Sequence, residues 1–268
     1  MINKENTENS QKTERRTVIK QLVFFLLICL PVTWILNLLG DTMLFAFIPA
    51  IAATLTCLIT KVKLRELKMF PKFKGHIKIY LFAILCGVFL SVFGNLLLPV
   101  CFPKVAVFGE EASLVVVVLS IFLFTAIGTI QFFILMGEEI GWMGFLFPRM
   151  EKLCGTTLAL VLTGVIRTIW HLALLVQMED FLLNFATLLL SNILLGAILD
   201  WVTKASDSVI PASVIHVLTN AVPSAVLGFM VIDETLYQAN YWGIYFMTLI
   251  PSVIVAGVCY WMLVKKKY

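Results

Sequence analysis

Long apolar stretches alternate with short polar ones along this chain. Eight windows are apolar enough to be membrane spans: 21–39, 42–60, 79–100, 114–136, 156–177, 181–199, 209–230 and 242–264. About twenty consecutive apolar residues are what an α-helix needs to cross the hydrocarbon core of a bilayer. The runs are continuous, whereas lipid-facing barrel strands alternate apolar and polar positions, so helices are predicted. No internal repeat and no linker interrupts the pattern. The predicted fold is therefore all-α, a polytopic membrane protein of about eight transmembrane helices. A polar tail at 1–20 precedes a single helical membrane domain at 21–268. The tail does not read as a secretory signal, because the apolar run after it is too long and lacks a small-residue cleavage site.

Composition narrows the function classes. Of 268 residues, 60% are hydrophobic and 13% charged, against roughly a quarter charged in soluble domains. Mean hydropathy is +0.99. A soluble globule would have too few polar residues to face water. A soluble enzyme, a disordered chain and a nucleic-acid binder are excluded as first readings, and the lipid bilayer is the implied surrounding. The six cysteines contain no CxxC pair and lie mostly in apolar runs, as small buried hydrophobes do.

Charge placement predicts orientation. With the N-terminus inside, 18 of the 20 basic residues fall on the cytoplasmic side, including seven between Lys61 and Lys78, Arg149 and the terminal Lys265, Lys266 and Lys267. The outer loops hold Lys104 with Asp41, Glu110, Glu111, Glu179, Asp180, Asp233 and Glu234. Both termini are therefore predicted to be cytoplasmic. The short polar N-terminus and compact loops suggest a bacterial plasma membrane.

A few polar residues do not belong to this arrangement. Glu138 and Glu139 end the fourth window, Arg167 and His171 lie in the fifth, and His216 and Asn220 lie in the seventh. An ionisable group inside a bilayer is costly unless paired or facing a wet cavity. His216 and Asn220 are four apart and share a helix face, as do Arg167 and His171. The adjacent glutamates point about 100° apart on a helix. Three readings fit this set: a polar network joining helices, a proton or ion pathway, and hydrolytic chemistry. No HExxH or GxSxG motif is present. What is available for hydrolysis is a glutamate as general base toward water, with histidines and an asparagine as metal ligands or oxyanion stabilisers.

At these residues the chain resembles a known family. Gly137-Glu138-Glu139-Ile140-Gly141-Trp142-Met143-Gly144-Phe145-Leu146-Phe147-Pro148-Arg149 is similar to motif 1, EExxxR, of the CAAX-protease and bacteriocin-processing family, also called Abi or CPBP. Arg167-Thr168-Ile169-Trp170-His171 resembles the aromatic-xxx-H of motif 2. His216-Val217-Leu218-Thr219-Asn220 matches motif 3, HxxxN, after a Ser208-Val209-Ile210-Pro211-Ala212 lead-in. The motif-bearing part spans 137–220. The resemblance implies an intramembrane endopeptidase open toward the cytoplasm and acting on a membrane-proximal peptide or protein. Glu138 would activate water together with His171, and Glu139 would support them. His216 and Asn220 would hold the oxyanion or a metal. A divalent ion such as zinc would sit on Glu138, His171 and His216.

Two positions depart from the family pattern. Met143 stands where motif 1 carries arginine, and Arg167 stands at the aromatic position of motif 2. Buried carboxylates need a cation, so the Arg167 guanidinium is expected to reach Glu138 or Glu139 near Met143. The rival reading is a non-catalytic family member acting as a membrane scaffold, a bacteriocin-immunity factor or an envelope regulator. A transporter ranks third, since repeated halves and broken helices are not evident. Trp142, Trp170, Trp201 and Trp242 lie near window ends, where interface anchoring is expected. The stretch 140–153 is expected to connect helices or lie along the interface, with Pro148 breaking the helix.

Overall fold

The computed structural model describes residues 2–40 and 44–268, with side chains from residue 11 onward. Asp41, assigned above to an outer loop, the start of the window 42–60 and the side chain of Lys4 lie outside the described residues.

The protein is an all-α polytopic membrane protein. Among the described residues, six helical stretches are long and apolar enough to cross a membrane: Gln11–Leu38, Ile77–Cys101, Phe132–Trp170, Phe181–Ser206, Ile210–Leu227 and Tyr241–Val264. Two shorter apolar helices, Leu44–Ile59 and Leu114–Ile130, occupy the windows 42–60 and 114–136. In chain order the helices are α1 (Ile2–Leu38), α2 (Ile48–Ile59), α3 (Ile77–Cys101), α4 (Leu114–Ile130), α5 (Phe132–Glu139), α6 (Phe147–Trp170) and α7 (Leu172–Leu175). They continue with α8 (Phe181–Ser206), α9 (Ile210–Ala221), α10 (Ser224–Leu227), α11 (Glu234–Ala239) and α12 (Tyr241–Val264). A short antiparallel pair joins β1 (Ala106–Phe108) to β2 (Met230–Ile232). Side chains such as Leu27, Leu85, Leu119 and Ile254 are exposed, as lipid-facing positions of a membrane helix must be.

Two compact units make up the chain. One contains the described residues up to Met69 with Gly137–Ile193, and the other contains Phe70–Met136 with Leu194–Tyr268.

In the first unit, the expected break at Pro148 is absent. A π-helical turn, Ile140–Leu146, runs from α5 directly into α6. Pro148 falls where the π-helical turn passes into the first turn of α6. The bend comes instead at Gly155, whose φ of 77° and ψ of 168° interrupt α6. Glycine reaches that backbone conformation without a Cβ clash. The window 156–177 is also broken: α6 ends at Trp170 and His171 is its C-terminal cap.

Glycines set the packing of the π-helical turn. A Cβ on Gly141 would lie 2.3 Å from Pro49 Cβ, one on Gly144 2.5 Å from the Leu67 carbonyl oxygen, and one on Gly137 2.7 Å from the Ala46 carbonyl oxygen. The three face the backbone of 46–49 and Leu67, so the segment bearing the glutamates lies directly against the chain around α2.

In the second unit, α3 packs on α9 and α12, and α4 packs on α9. A Cβ on Gly87 would meet Leu218 Cβ at 2.8 Å, and one on Gly94 would meet the Thr248 backbone at 2.8 Å. The Ser91 hydroxyl donates to the Leu218 carbonyl at 3.0 Å. At the end of α3, Leu98, Val105, Ala106, Ile244 and Met247 form an apolar core beside the β-pair.

Cys29, Cys57, Cys86 and Cys259 are buried thiols as expected, whereas Cys101 is exposed and Cys154 half-buried.

Candidate active site

The glutamates close α5, and both are buried: Glu138 is 4% exposed and Glu139 0%. The cation expected beside them is present. Arg167 Nη2 lies 3.3 Å from Glu139 Oε1, with both side chains inaccessible. The contact is made by one nitrogen, and Arg167 Nε and Nη1 have no hydrogen-bond partner among the described residues. Met143, at the motif-arginine position, is fully buried.

Arg167 and His171 share a helix face and a further link. His171 Nδ1 lies 2.8 Å from the Arg167 carbonyl oxygen. A carbonyl can only accept, so Nδ1 carries the proton in the neutral ring and Nε2 carries the lone pair. The His171 amide also donates to the Arg167 and Thr168 carbonyls, at 3.3 and 3.1 Å. These contacts close α6 and set the imidazole at its end.

Aromatic packing holds this end of α6. Trp170 Nε1 donates to Thr33 Oγ1 on α1 at 2.7 Å, and Trp34 Nε1 donates to the Ile169 carbonyl at 3.1 Å. The Trp170 ring meets Trp142 edge-on at 5.5 Å and His171 at 4.6 Å, and Phe25 meets Trp142 at 5.8 Å. Trp142 and Trp170 are 0% exposed. The interface-anchor expectation is therefore wrong for both: an indole ring packed on all sides stabilises the protein interior. It is also wrong for Trp201, which is buried and donates to the Lys267 carbonyl. Trp242 is exposed.

Arg149 corrects another expectation. Counted above as a cytoplasmic loop charge, it is 6% exposed. Its Nε donates to Gln21 Oε1 at 2.9 Å and its Nη1 to the Phe145 carbonyl at 3.1 Å. The guanidinium stacks 3.7 Å above the Phe145 ring, and Glu66 lies 3.7 Å away. Arg149 thus ties the π-helical turn to α1 and to the turn before Leu67.

The second unit carries the third motif on α9. Ser208 Oγ accepts from the Ile210 amide at 3.3 Å, and Pro211 sits in the first turn. This explains the lead-in as a helix start. His216 is buried and Asn220 exposed, one turn further along the same face. The structure thus places Glu138, Glu139, Arg167 and His171 in one unit and His216 and Asn220 in the other. Among the described residues, no group of three or more His, Cys, Asp or Glu side chains is arranged to hold a metal ion.

One buried carboxylate escaped the sequence reading. Asp200, near the end of α8, is 1% exposed and pairs with Lys204 at 2.8 Å. Its signal is an acid four residues before a base at the edge of an apolar run.

Residues 111–222 match the family model described as Type II CAAX prenyl endopeptidase Rce1-like. The matched stretch contains all three motifs, and the match agrees with the resemblance to the CAAX-protease and bacteriocin-processing family. No curated protein matches the chain.

Proposed function

We propose that the protein is an intramembrane endopeptidase in which a glutamate-activated water cleaves a membrane-proximal peptide or protein. The observation that carries this reading is the buried Glu139–Arg167 pair beside Glu138 and His171, inside the stretch matched to the endopeptidase family. Arg167 holds Glu139 in place, so the two neighbouring carboxylates have different roles. Glu138 is the general base that takes a proton from the attacking water. His171 carries its lone pair on Nε2 and shares in that transfer. His216 and Asn220 donate to the oxyanion as the carbonyl becomes tetrahedral. The proton held by Glu138 then passes to the leaving amine, and the peptide bond breaks.

Zinc on Glu138, His171 and His216 is the other role open to these side chains. The described residues do not assemble such a ligand group, and no step above runs through a metal. Bound-metal analysis of the purified protein, with cleavage measured before and after chelation, tests that role directly.

The experiment for the main reading is substrate trapping. Glu138→Gln protein in native membranes should retain a peptide or protein that the wild type releases cleaved. The second reading, a non-catalytic scaffold, draws on Met143 at the motif-arginine position. If Glu138→Ala and His171→Ala both keep the full biological effect at normal protein level, the scaffold reading replaces the enzyme.

The proposed setting is a bacterial plasma membrane, suggested by the compact loops, and the proposed cytoplasmic placement of both termini follows the distribution of basic residues.

A further inference from the structure

A cavity of about 140 Å³ opens within the second unit, between the C-terminal end of α3, the start of α12, β2 and α11. Buried Leu98 and Ile244 form part of its apolar wall. Four polar side chains line it: Asn95, Glu234, Tyr237 and Thr248.

The hydrogen bonds of these four decide what the cavity can take. Asn95 Nδ2 donates to the Ser91 carbonyl at 2.6 Å, and Thr248 Oγ1 donates to the Tyr245 carbonyl at 2.8 Å. The donor capacity of Thr248 is spent and that of Asn95 half spent, while their oxygens still accept. The Glu234 carboxylate can only accept, and it makes no ion pair among the described residues. Tyr237 carries the one hydroxyl still able to donate. Its ionisation is pushed up by burial, by neighbouring Tyr241 and by Glu234, so it stays neutral beside the carboxylate. The polar lining is therefore rich in acceptors, bears one negative charge and stands against an apolar wall.

We propose that this cavity binds a primary ammonium group carried on a short apolar chain. An ammonium offers three donors and a full positive charge. It matches the Glu234 carboxylate, Asn95 Oδ1 and Thr248 Oγ1, while the chain lies on Leu98 and Ile244. The Tyr237 ring adds a π-face to the same wall. The volume is close to that of a dry cavity that holds benzene, which sets the size of the group. An anion would be repelled by the Glu234 carboxylate, and an acceptor-only ligand would leave most of the polar lining unmatched. This inference does not depend on the proteolytic reading.

The same chemistry has two sources, a soluble amine and an ethanolamine lipid headgroup, and one experiment separates them. The full-length protein is placed in nanodiscs of phosphatidylcholine, with or without phosphatidylethanolamine. n-Butylammonium and neutral n-butanol are titrated by calorimetry and by thermal unfolding. Butylammonium should bind in phosphatidylcholine discs and raise the unfolding midpoint, while butanol should not. Glu234→Gln, at an exposed position that does not threaten folding, should weaken butylammonium binding at least tenfold, the effect of losing a charge-assisted hydrogen bond. Asn95→Leu should weaken it to a smaller extent. Loss of butylammonium binding in discs that contain phosphatidylethanolamine identifies the lipid as occupant, and unchanged binding identifies a soluble amine. Equal responses to butylammonium and butanol, or full binding by Glu234→Gln, would overturn the proposal.

Discussion

Arg167 and Glu139 form a pair that is inaccessible on both sides. Removing one member leaves a buried charge without its partner, which costs about 3–5 kcal/mol. Arg167→Met should therefore lower the unfolding free energy in detergent by about that amount. Adding Glu139→Gln should restore most of it, because the orphaned charge is then gone. A double variant no more stable than the single one would show that the pair is not coupled. Met143 offers a second route to the same end. Arg167→Phe combined with Met143→Arg should recover part of the loss, read as the unfolding midpoint. For the proposed chemistry, Glu138→Gln and His171→Ala should each reduce cleavage about a hundred- to ten-thousand-fold without changing the protein level. Glu138, Glu139, His171, His216 and Asn220 were legible in the sequence because polar groups stand out against apolar runs. The single-nitrogen geometry of the Arg167 contact was not, since it depends on where α6 ends.

At the scale of elements, the π-helical turn Ile140–Leu146 has the most demanding environment. Its Gly141 lies so close to Pro49 that an added Cβ would sit 2.3 Å from the proline ring. Gly141→Ala forces α2 and the turn apart and should destabilise the protein by about 1–3 kcal/mol, as overpacking does. Gly257 on α12 is the control, for a Cβ there meets nothing within 4 Å. Gly257→Ala should be neutral or stabilising by up to about 1 kcal/mol, since alanine is the better helix former. Unfolding of both variants in the same detergent checks the contrast. Hydrogen exchange gives an independent view of the turn. Arg149→Gln removes the guanidinium bonds to Gln21 and the Phe145 carbonyl, and faster exchange should follow across 140–149 while α12 is unchanged. The glycine pattern of the first motif was visible in the sequence, but its cause was not. Only packing shows that Gly137, Gly141 and Gly144 meet carbonyls and a proline from distant segments.

For the whole molecule, the arrangement of basic residues predicts cytoplasmic termini. Reporter fusions should give fluorescence from a C-terminal GFP and no activity from a C-terminal alkaline phosphatase. The opposite pair of signals would reverse the orientation. The loop 61–78, with seven basic residues, should share the side of the termini in cysteine-labelling experiments. Each of these outcomes depends on summed charge near the membrane, so single substitutions should not change them.

The sequence by itself determined the all-α membrane class, because a bilayer-crossing segment must satisfy its own backbone hydrogen bonds and be apolar along its length. Both conditions are local, so the windows 79–100, 181–199 and 242–264 reappear as α3, α8 and α12 with shifted ends. The motif residues were equally local signals. The tertiary structure decided which side chains are interior. Trp142, Trp170 and Arg149 sit at positions that suit an interface or a loop, yet all are buried. Their burial depends on Phe25, Thr33 and Gln21 of α1, more than a hundred residues away. It decided the bend at Gly155 rather than Pro148 for a similar reason. Pro148 stands where the π-helical turn, packed against α2, passes into α6, whereas Gly155 takes a backbone conformation that glycine reaches without a Cβ clash.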